Sequence, residues 1–290
     1  MSLRDRIERW LEPLGRKLNF RFYFVRFQPY YWPIPDRRSL TDSLWSRKSD
    51  LPGVDMNEAG QLALLDEFRT SFGNEFATVD RGFGEVDAQV LHGMLRKYKP
   101  VKMIEVGSGN STHVSANALL LNAAENPGRP PCGFTAIEPH PAPDIRAGFP
   151  GLTRLLERRV QDVPLETFAE LRENDVLFID SSHVLAIGSD VQYEFLEIIP
   201  RLKPGVLVHV HDIFLPAEYP KPWVVAGRFW DEQYLLQAFL AFNGNFEVLW
   251  AGHWMHLNHP DQLRAAFTTY DRAKAAPGSF WMRRVNKSPG

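Results

Sequence analysis

The sequence predicts an α/β fold: a mostly parallel sheet with helices on both faces, behind an N-terminal extension. Three observations carry this. Residues 101 to 112 read Val-Lys-Met-Ile-Glu-Val-Gly-Ser-Gly-Asn-Ser-Thr, an apolar run ending in an acid and two glycines, so a strand, a tight turn and a helix start are fused. From residue 101 to 211 short apolar runs alternate with helical segments, the rhythm of right-handed parallel units. Beyond residue 240 that rhythm breaks into Phe246-Glu-Val-Leu-Trp250 and Ser279-Phe-Trp-Met-Arg-Arg284, two aromatic-rich strands suited to an antiparallel pair at a sheet edge.

Taken in order, Leu3, Ile7, Trp10, Leu11 and Leu14 recur at helical spacing and predict an amphipathic helix over 3–18. Phe20, Phe22, Phe24 and Phe27 then alternate with polar residues ahead of Tyr30-Tyr-Trp-Pro33, an aromatic arm suited to a lid, a dimer contact or a membrane surface. Prolines, serines and mixed charges from Asp36 to Asp55 read as a loop. Helices are expected over 57–72 and 87–97, with Pro100 ending the second. The chain is accordingly divided into an extension, 1–85, and a core, 86–290.

Within the core, strands are expected at 101–106, 133–138, 153–160, 175–180 and 205–211, with helices at 111–124, 164–172, 190–200 and 231–242. Met103, Ile104 and Val106 suit a strand buried on both faces. Ser111 or Thr112 can cap the helix that follows. The segment Phe214 to Trp230 is too long for a simple connection, and its aromatics either wall an acceptor site as a lid or pack beneath one. His253, His256 and His259 fall in a loop-like stretch and read as surface or pocket-edge residues.

Composition narrows the classes. The chain has 290 residues, 44% hydrophobic and 23% charged, enough for a large buried core. With 33 basic and 35 acidic residues the net charge is −2, so no basic excess supplies the footprint of a nucleic-acid binder. One cysteine, Cys132, excludes an internal disulfide and fits a small core residue in a reducing compartment. The start carries Arg4, Asp5, Arg6, Glu8 and Arg9 with no apolar signal core, and no run is long enough to span a bilayer, so a cytoplasmic location is expected.

The strand tips point to a nucleotide-like ligand, because open α/β sheets bind ligands at the carboxyl ends of their strands. Gly107 and Gly109 allow a tight turn and close backbone approach. A dinucleotide fingerprint wants a third glycine where Thr112 stands, which weakens an oxidoreductase reading. Glu105 sits just before the turn instead. Glu138 ends strand two, where an acid can accept both ribose hydroxyls, and Asp162 follows strand three within reach of an adenine amino group.

With Glu105-Val-Gly-Ser-Gly109, Glu138, Asp162, Phe178-Ile-Asp-Ser-Ser-His183 and Leu202-Lys-Pro-Gly-Val206 before His209-Val-His-Asp212, the chain resembles the class I S-adenosylmethionine-dependent methyltransferases of small-molecule biosynthetic type over about Val86 to Arg284. The resemblance implies a Rossmann-like sheet of seven strands, the last antiparallel. It also implies S-adenosyl-L-methionine across the tips, with Glu105, Gly107, Ser108, Gly109 and Ser111 at the amino-acid portion, Glu138 at the ribose and Asp162 at the adenine.

Methyl transfer is an in-line displacement at carbon, and a hydroxyl acceptor must lose its proton to a base or to a metal that lowers its pKa. Asp180, His183, His209, His211 and Asp212 supply candidates for both roles: His183, His211 and Asp180 as catalytic groups, and Asp180, His211 and Asp212 as metal ligands. Catechol O-methyltransferase-like enzymes place an Asp-Asn pair where His211-Asp212 stands. A mixed imidazole and carboxylate set suits iron, manganese or zinc better than magnesium. The metal-free alternative makes His209 a core histidine, Asp212 a cap, and His183 or His211 the base. The sequence therefore predicts methyl transfer to a small-molecule acceptor, at a hydroxyl oxygen, by a protein compatible with a homodimer. The alternative is a non-catalytic, partner-binding protein that keeps the fold.

Overall fold

The computed structural model describes residues 3–18, 34–35, 39–76 and 82–286. Two compact units divide it, Met1–Asp42 and Ser43–Gly290. The first holds α1 (Leu3–Leu18), which puts Ile7, Trp10 and Leu14 on one helical face as their spacing requires. The aromatic arm from Phe20 to Trp32 lies outside the described residues. No helix among the described residues is long and apolar enough to cross a membrane.

After the short helix α2 (Asp42–Ser46), α3 (Glu58–Phe72) and α4 (Glu85–Tyr98) lead into β1 (Lys102–Val106), α5 (Asn110–Glu125) and β2 (Gly133–Ile137). Then come α6 (Pro143–Ala147), β3 (Arg154–Leu156), α7 (Leu165–Ala169), β4 (Val176–Ile179), α8 (Asp190–Tyr193) and β5 (Leu207–Val210). The remainder is α9 (Lys221–Val225), α10 (Glu232–Leu240), β6 (Phe246–Ala251), α11 (Gly252–Asn258), α12 (Pro260–Ala266) and β7 (Phe280–Arg284). The seven strands form one sheet in the order β3-β2-β1-β4-β5-β7-β6. β7 runs antiparallel to both β5 and β6, and β1 to β5 pair in parallel.

The period of two along each strand splits the core into two layers. Met103, Val176, Phe178 and Leu207 face one way and pack with α3, α4, α5, α11 and α12. Ile104, Leu177, Ile179, Val208 and Val210 face the other and pack with α7, α8 and α10. Because α3 buries Leu64, Leu65 and Phe68 in the first layer, the second unit begins at Ser43 rather than at the residue 86 expected from sequence. Gln61 adds a fixed point, its side-chain oxygen accepting from Ala251 N at 2.7 Å.

Other departures are local. The third strand spans only Arg154–Leu156, and Val160–Asp162 turns into a 3₁₀ segment. The helix expected over 190–200 begins as α8, widens into a π turn at Glu194–Ile198 and ends as a 3₁₀ turn at Ile199–Arg201. The stretch with His253 and His256 is helical, not a loop. Within the 36–55 loop lies α2. Cys132 is partly buried against the first core layer, and burial pushes its thiol up to about 12, so it is unreactive at neutral pH.

At the amino ends of the strands, Asp175 is buried and accepts backbone N–H bonds from Val101 at 3.0 Å, Lys102 at 2.7 Å and Arg172 at 2.9 Å. It ties the starts of β1 and β4 far from the strand tips. Asp175→Ala orphans three donors, and an expected loss of about 2–4 kcal/mol in urea unfolding follows from the cost of unsatisfied buried groups.

Candidate active site

β1 ends in a turn that only glycine can make. Gly107 has φ +89°, and a Cβ there would lie 2.1 Å from the Asp180 carbonyl oxygen. The turn thus packs directly on the tip of β4. Gly109 is extended, with open space where a Cβ would be. Thr112 Oγ1 accepts from Gly109 N at 2.9 Å, so the residue at the missing third glycine caps α5. Ser111 turns inward and donates to Glu105 Oε1 at 2.6 Å.

Glu105 is fully buried, and its Oε2 has no partner among the described residues. Burial pushes its carboxyl up to about 8, against the opposing bonds from Ser111 and Thr112. It supports the turn from beneath.

A cleft of about 480 Å³ opens at the tips of β1, β2 and β4, lined by Gly107, Glu138, His140, Gln161, Asp180 and Ser182 among others. Glu138 is half-buried and accepts from His140 N at 2.8 Å, which leaves it turned into the cleft. Asp162 is not part of the lining. Its carboxylate is held by Arg159 in a two-pronged pair at 3.0 and 2.9 Å, while its neighbour Gln161 faces the cleft.

Beside this cleft the tips of β4 and β5 bring three ligand-type groups together. Asp180, His183 and Asp212 each offer an atom, and all three atoms lie within 4.8 Å of one another. His183 Nε2 stands 3.4 Å from Asp180 Oδ1 and 3.6 Å from Asp212 Oδ2. Both His183 (φ +62°) and Asp212 (φ +55°) adopt left-handed backbone, which costs a non-glycine residue free energy and is concentrated at functional sites.

The metal set expected from sequence placed His211 where His183 now stands. The pleat explains this. His209 and His211 share a face of β5, so their rings join an aromatic stack: His209 on Phe178 at 4.0 Å, and His211 on Phe83 at 4.2 Å. His211 Nε2 reaches Asp212 Oδ1 only at 3.6 Å, and its Nδ1 is buried without a partner among the described residues. His209 is fully buried with neither nitrogen bonded among the described residues, and burial holds it well below the ordinary imidazole range.

Charge at the cluster is arranged around one imidazole. Burial opposes protonation of His183, but Asp180 and Glu232 outweigh it and push the ring up to about 10. Burial raises Asp180, yet His211 and His183 overcome it and leave the carboxyl below its usual range. Asp212 moves the other way: burial raises it, and Asp180 and Asp87 add to the effect.

Two groups here were absent from the sequence reading. Glu232, at the start of α10, accepts from His183 Nδ1 at 2.9 Å, and Glu194, at the start of the π turn, accepts from Ser181 Oγ at 3.0 Å. Both are fully buried. Their partners lie about 50 and 13 positions away in the chain, so no local motif announces them. In the 214–230 segment Phe214 and Tyr219 are buried, while Trp230 is half-buried with its ring 4.3 Å from His183.

Residues 104–213, the span from β1 to just past the β5 tip, match a family described as a methyltransferase domain. No curated protein matches the chain. Among solved structures it is similar to an apo structure of CmcI, at 17% identity over 69% of this chain and 71% of that one, with a TM-score of 0.36. It is also similar to the S-adenosylhomocysteine-bound Podospora anserina methyltransferase PaMTH1, at 13% identity over 91% and 100%, with a TM-score of 0.40. The methyltransferase-domain match thus runs from β1 to the tip of β5 in a seven-stranded sheet whose β7 is antiparallel.

Gly107→Ala forces a Cβ into the Asp180 carbonyl at a positive φ, so it is expected to cost roughly 1–3 kcal/mol of stability, read by denaturant unfolding. Glu105 gives a pH signature. Its unfolded carboxyl ionises near 4.5 and its folded one near 8, so the folded state holds the extra proton between these values and stability falls as pH rises through that window. Glu105→Gln removes this contribution, and the variant's stability between pH 4.5 and 8 is expected to decline less steeply than the wild type's.

Proposed function

We propose that this enzyme transfers the methyl group of S-adenosylmethionine to a hydroxyl oxygen of a small-molecule acceptor, activated at the Asp180–His183–Asp212 cluster. The convergence of those three side chains beside the cleft carries the reading. In it, the Gly107–Gly109 turn with Ser108 receives the methionine end of the donor, while Glu105 and Ser111 stabilise that turn from below. Glu138 accepts the ribose hydroxyls. The adenine falls beside Gln161, and Asp162 contributes only if it leaves Arg159.

The donor set fits a divalent cation: two carboxylate oxygens and one imidazole nitrogen at neighbouring tips, a mixture that suits manganese, iron or zinc better than magnesium. When bound, such a cation supplies a Lewis acid that lowers the pKa of the acceptor hydroxyl. The chain's own residues do the rest. Asp180 and Asp212 hold the acceptor end of the cleft negative and receive positive charge. Trp230 covers the His183 ring and keeps water from it. Where no cation binds, His183 Nε2 takes the hydroxyl proton from the ring's neutral form, which Asp180 and Glu232 disfavour below about pH 10, so base-assisted turnover rises toward alkaline pH.

The acceptor oxygen then attacks the donor methyl carbon as the carbon–sulfur bond opens on the opposite side. Its O–H proton passes to the base, and the sulfonium leaves as neutral S-adenosylhomocysteine.

Calorimetry with S-adenosylmethionine tests the donor half: wild type binds, Glu138→Ala binds more weakly, and no binding by wild type overturns the reading. A screen of S-adenosylhomocysteine release against hydroxyl-bearing acceptors tests the chemistry. His183→Gln is expected to lower kcat by about 10²–10⁴ while leaving donor affinity unchanged. Elemental analysis, with turnover before and after chelation, separates cation from base: full turnover of metal-free protein leaves the base alone.

A further inference from the structure

The grip on His183 comes from one element. Its carbonyl oxygen accepts from Asp231 N at 3.2 Å and Glu232 N at 3.3 Å, so the first turn of α10 is bonded to the His183 backbone. Asp231 Oδ1 accepts from Leu185 N at 2.6 Å, fixing the same turn two residues further along the loop. Glu232 Oε2 then meets His183 Nδ1 at 2.9 Å, with both side chains buried. Trp230 closes one side of the ring at 4.3 Å.

The arrangement is costly as a purely structural device. Glu232 Oε1 has no partner among the described residues, and neither has Glu194 Oε1, so two buried glutamates each keep an unsatisfied oxygen. An apolar residue in place of Glu232 would remove that penalty. What a carboxylate adds is direction: a hydrogen bond at Nδ1 assigns that nitrogen the donor role and leaves Nε2 for the opposite side, where Asp180 and Asp212 lie.

We infer that Glu232 is a positioning residue for methyl transfer, holding the His183 ring by Nδ1 so that Nε2 faces the gap between Asp180 and Asp212. The inference rests on the proposed role of that cluster in activating the acceptor. It assigns Glu232 no contact with donor or acceptor.

The test uses full-length protein, wild type, Glu232→Leu and Glu232→Gln, with two readouts besides turnover. In proton NMR, a carboxylate-bonded His183 Nδ1–H gives a far-downfield resonance, assigned by its loss in His183→Gln. It is expected in wild type, absent in Glu232→Leu and shifted upfield in Glu232→Gln, whose amide oxygen still accepts the bond. In calorimetry with Mn²⁺, Glu232→Leu is expected to bind about 10- to 100-fold more weakly, with Glu232→Gln between it and wild type. S-adenosylmethionine affinity, unchanged in all three, reports an intact fold.

A downfield signal that persists in Glu232→Leu, or Mn²⁺ affinity equal to wild type in that variant, overturns the inference. If wild type itself binds no Mn²⁺, the cation part of the proposed function fails, and the inference is then decided by the resonance. If Glu232→Leu does not fold, Glu232→Gln decides: an unshifted resonance overturns the inference.

Discussion

The parallel ladder through β4 is the constraint on which everything at the strand tips depends. β4 pairs with β1 on one side and β5 on the other, all four of its residues are buried, and the pairing continues past its end through Asp180 N to Val106 O and His211 N to Ile179 O, each at 2.9 Å. These bonds bring the glycine turn, Asp180 and the His211–Asp212 tip to one level. A shift of one residue in this register would turn every side chain to the opposite face and separate the cluster. The close approach of Gly107 to the Asp180 carbonyl is the same constraint at atomic scale.

Around that ladder the molecule uses acids in two different ways. Asp175 and Asp87 act as structural acceptors for backbone N–H groups, Asp87 receiving Gly278 N at 2.9 Å and Ser279 N at 3.1 Å at the start of β7. Glu105, Glu194 and Glu232 are fully buried and each keeps an oxygen without a partner among the described residues. The first kind satisfies donors the fold must bury. The second kind opposes folding locally and sits beside the cleft or the cluster, where Glu105 bonds Ser111 under the glycine turn, Glu194 bonds Ser181 and Glu232 bonds the His183 imidazole.

Much of the fold was legible because its signals are local. Buried parallel strands are short apolar runs whatever surrounds them, so Met103 to Val106 and Val176 to Ile179 announced themselves, and the aromatic tail strands betrayed an antiparallel edge. Gly107 and Glu138, which line the cleft, stood out in the sequence because a glycine turn and a strand-end acid leave marks in a few consecutive letters. The boundary expected at residue 85 differs from the compact unit that begins at Ser43, because nothing local says which layer α3 will bury its leucines in.

The sequence by itself determined the class of sheet, the position of the glycine turn and the candidates Asp180, His183 and Asp212, since each depends on spacing within one strand and its tip. Only the tertiary structure decided that His183 rather than His211 completes the three-residue cluster. That choice depends on the pleat, which commits His211 to the ring stack with Phe83, and on Glu232, whose carboxylate reaches His183 from another helix 49 positions away. Interactions of that range are set by how layers pack, and no short run of residues encodes them.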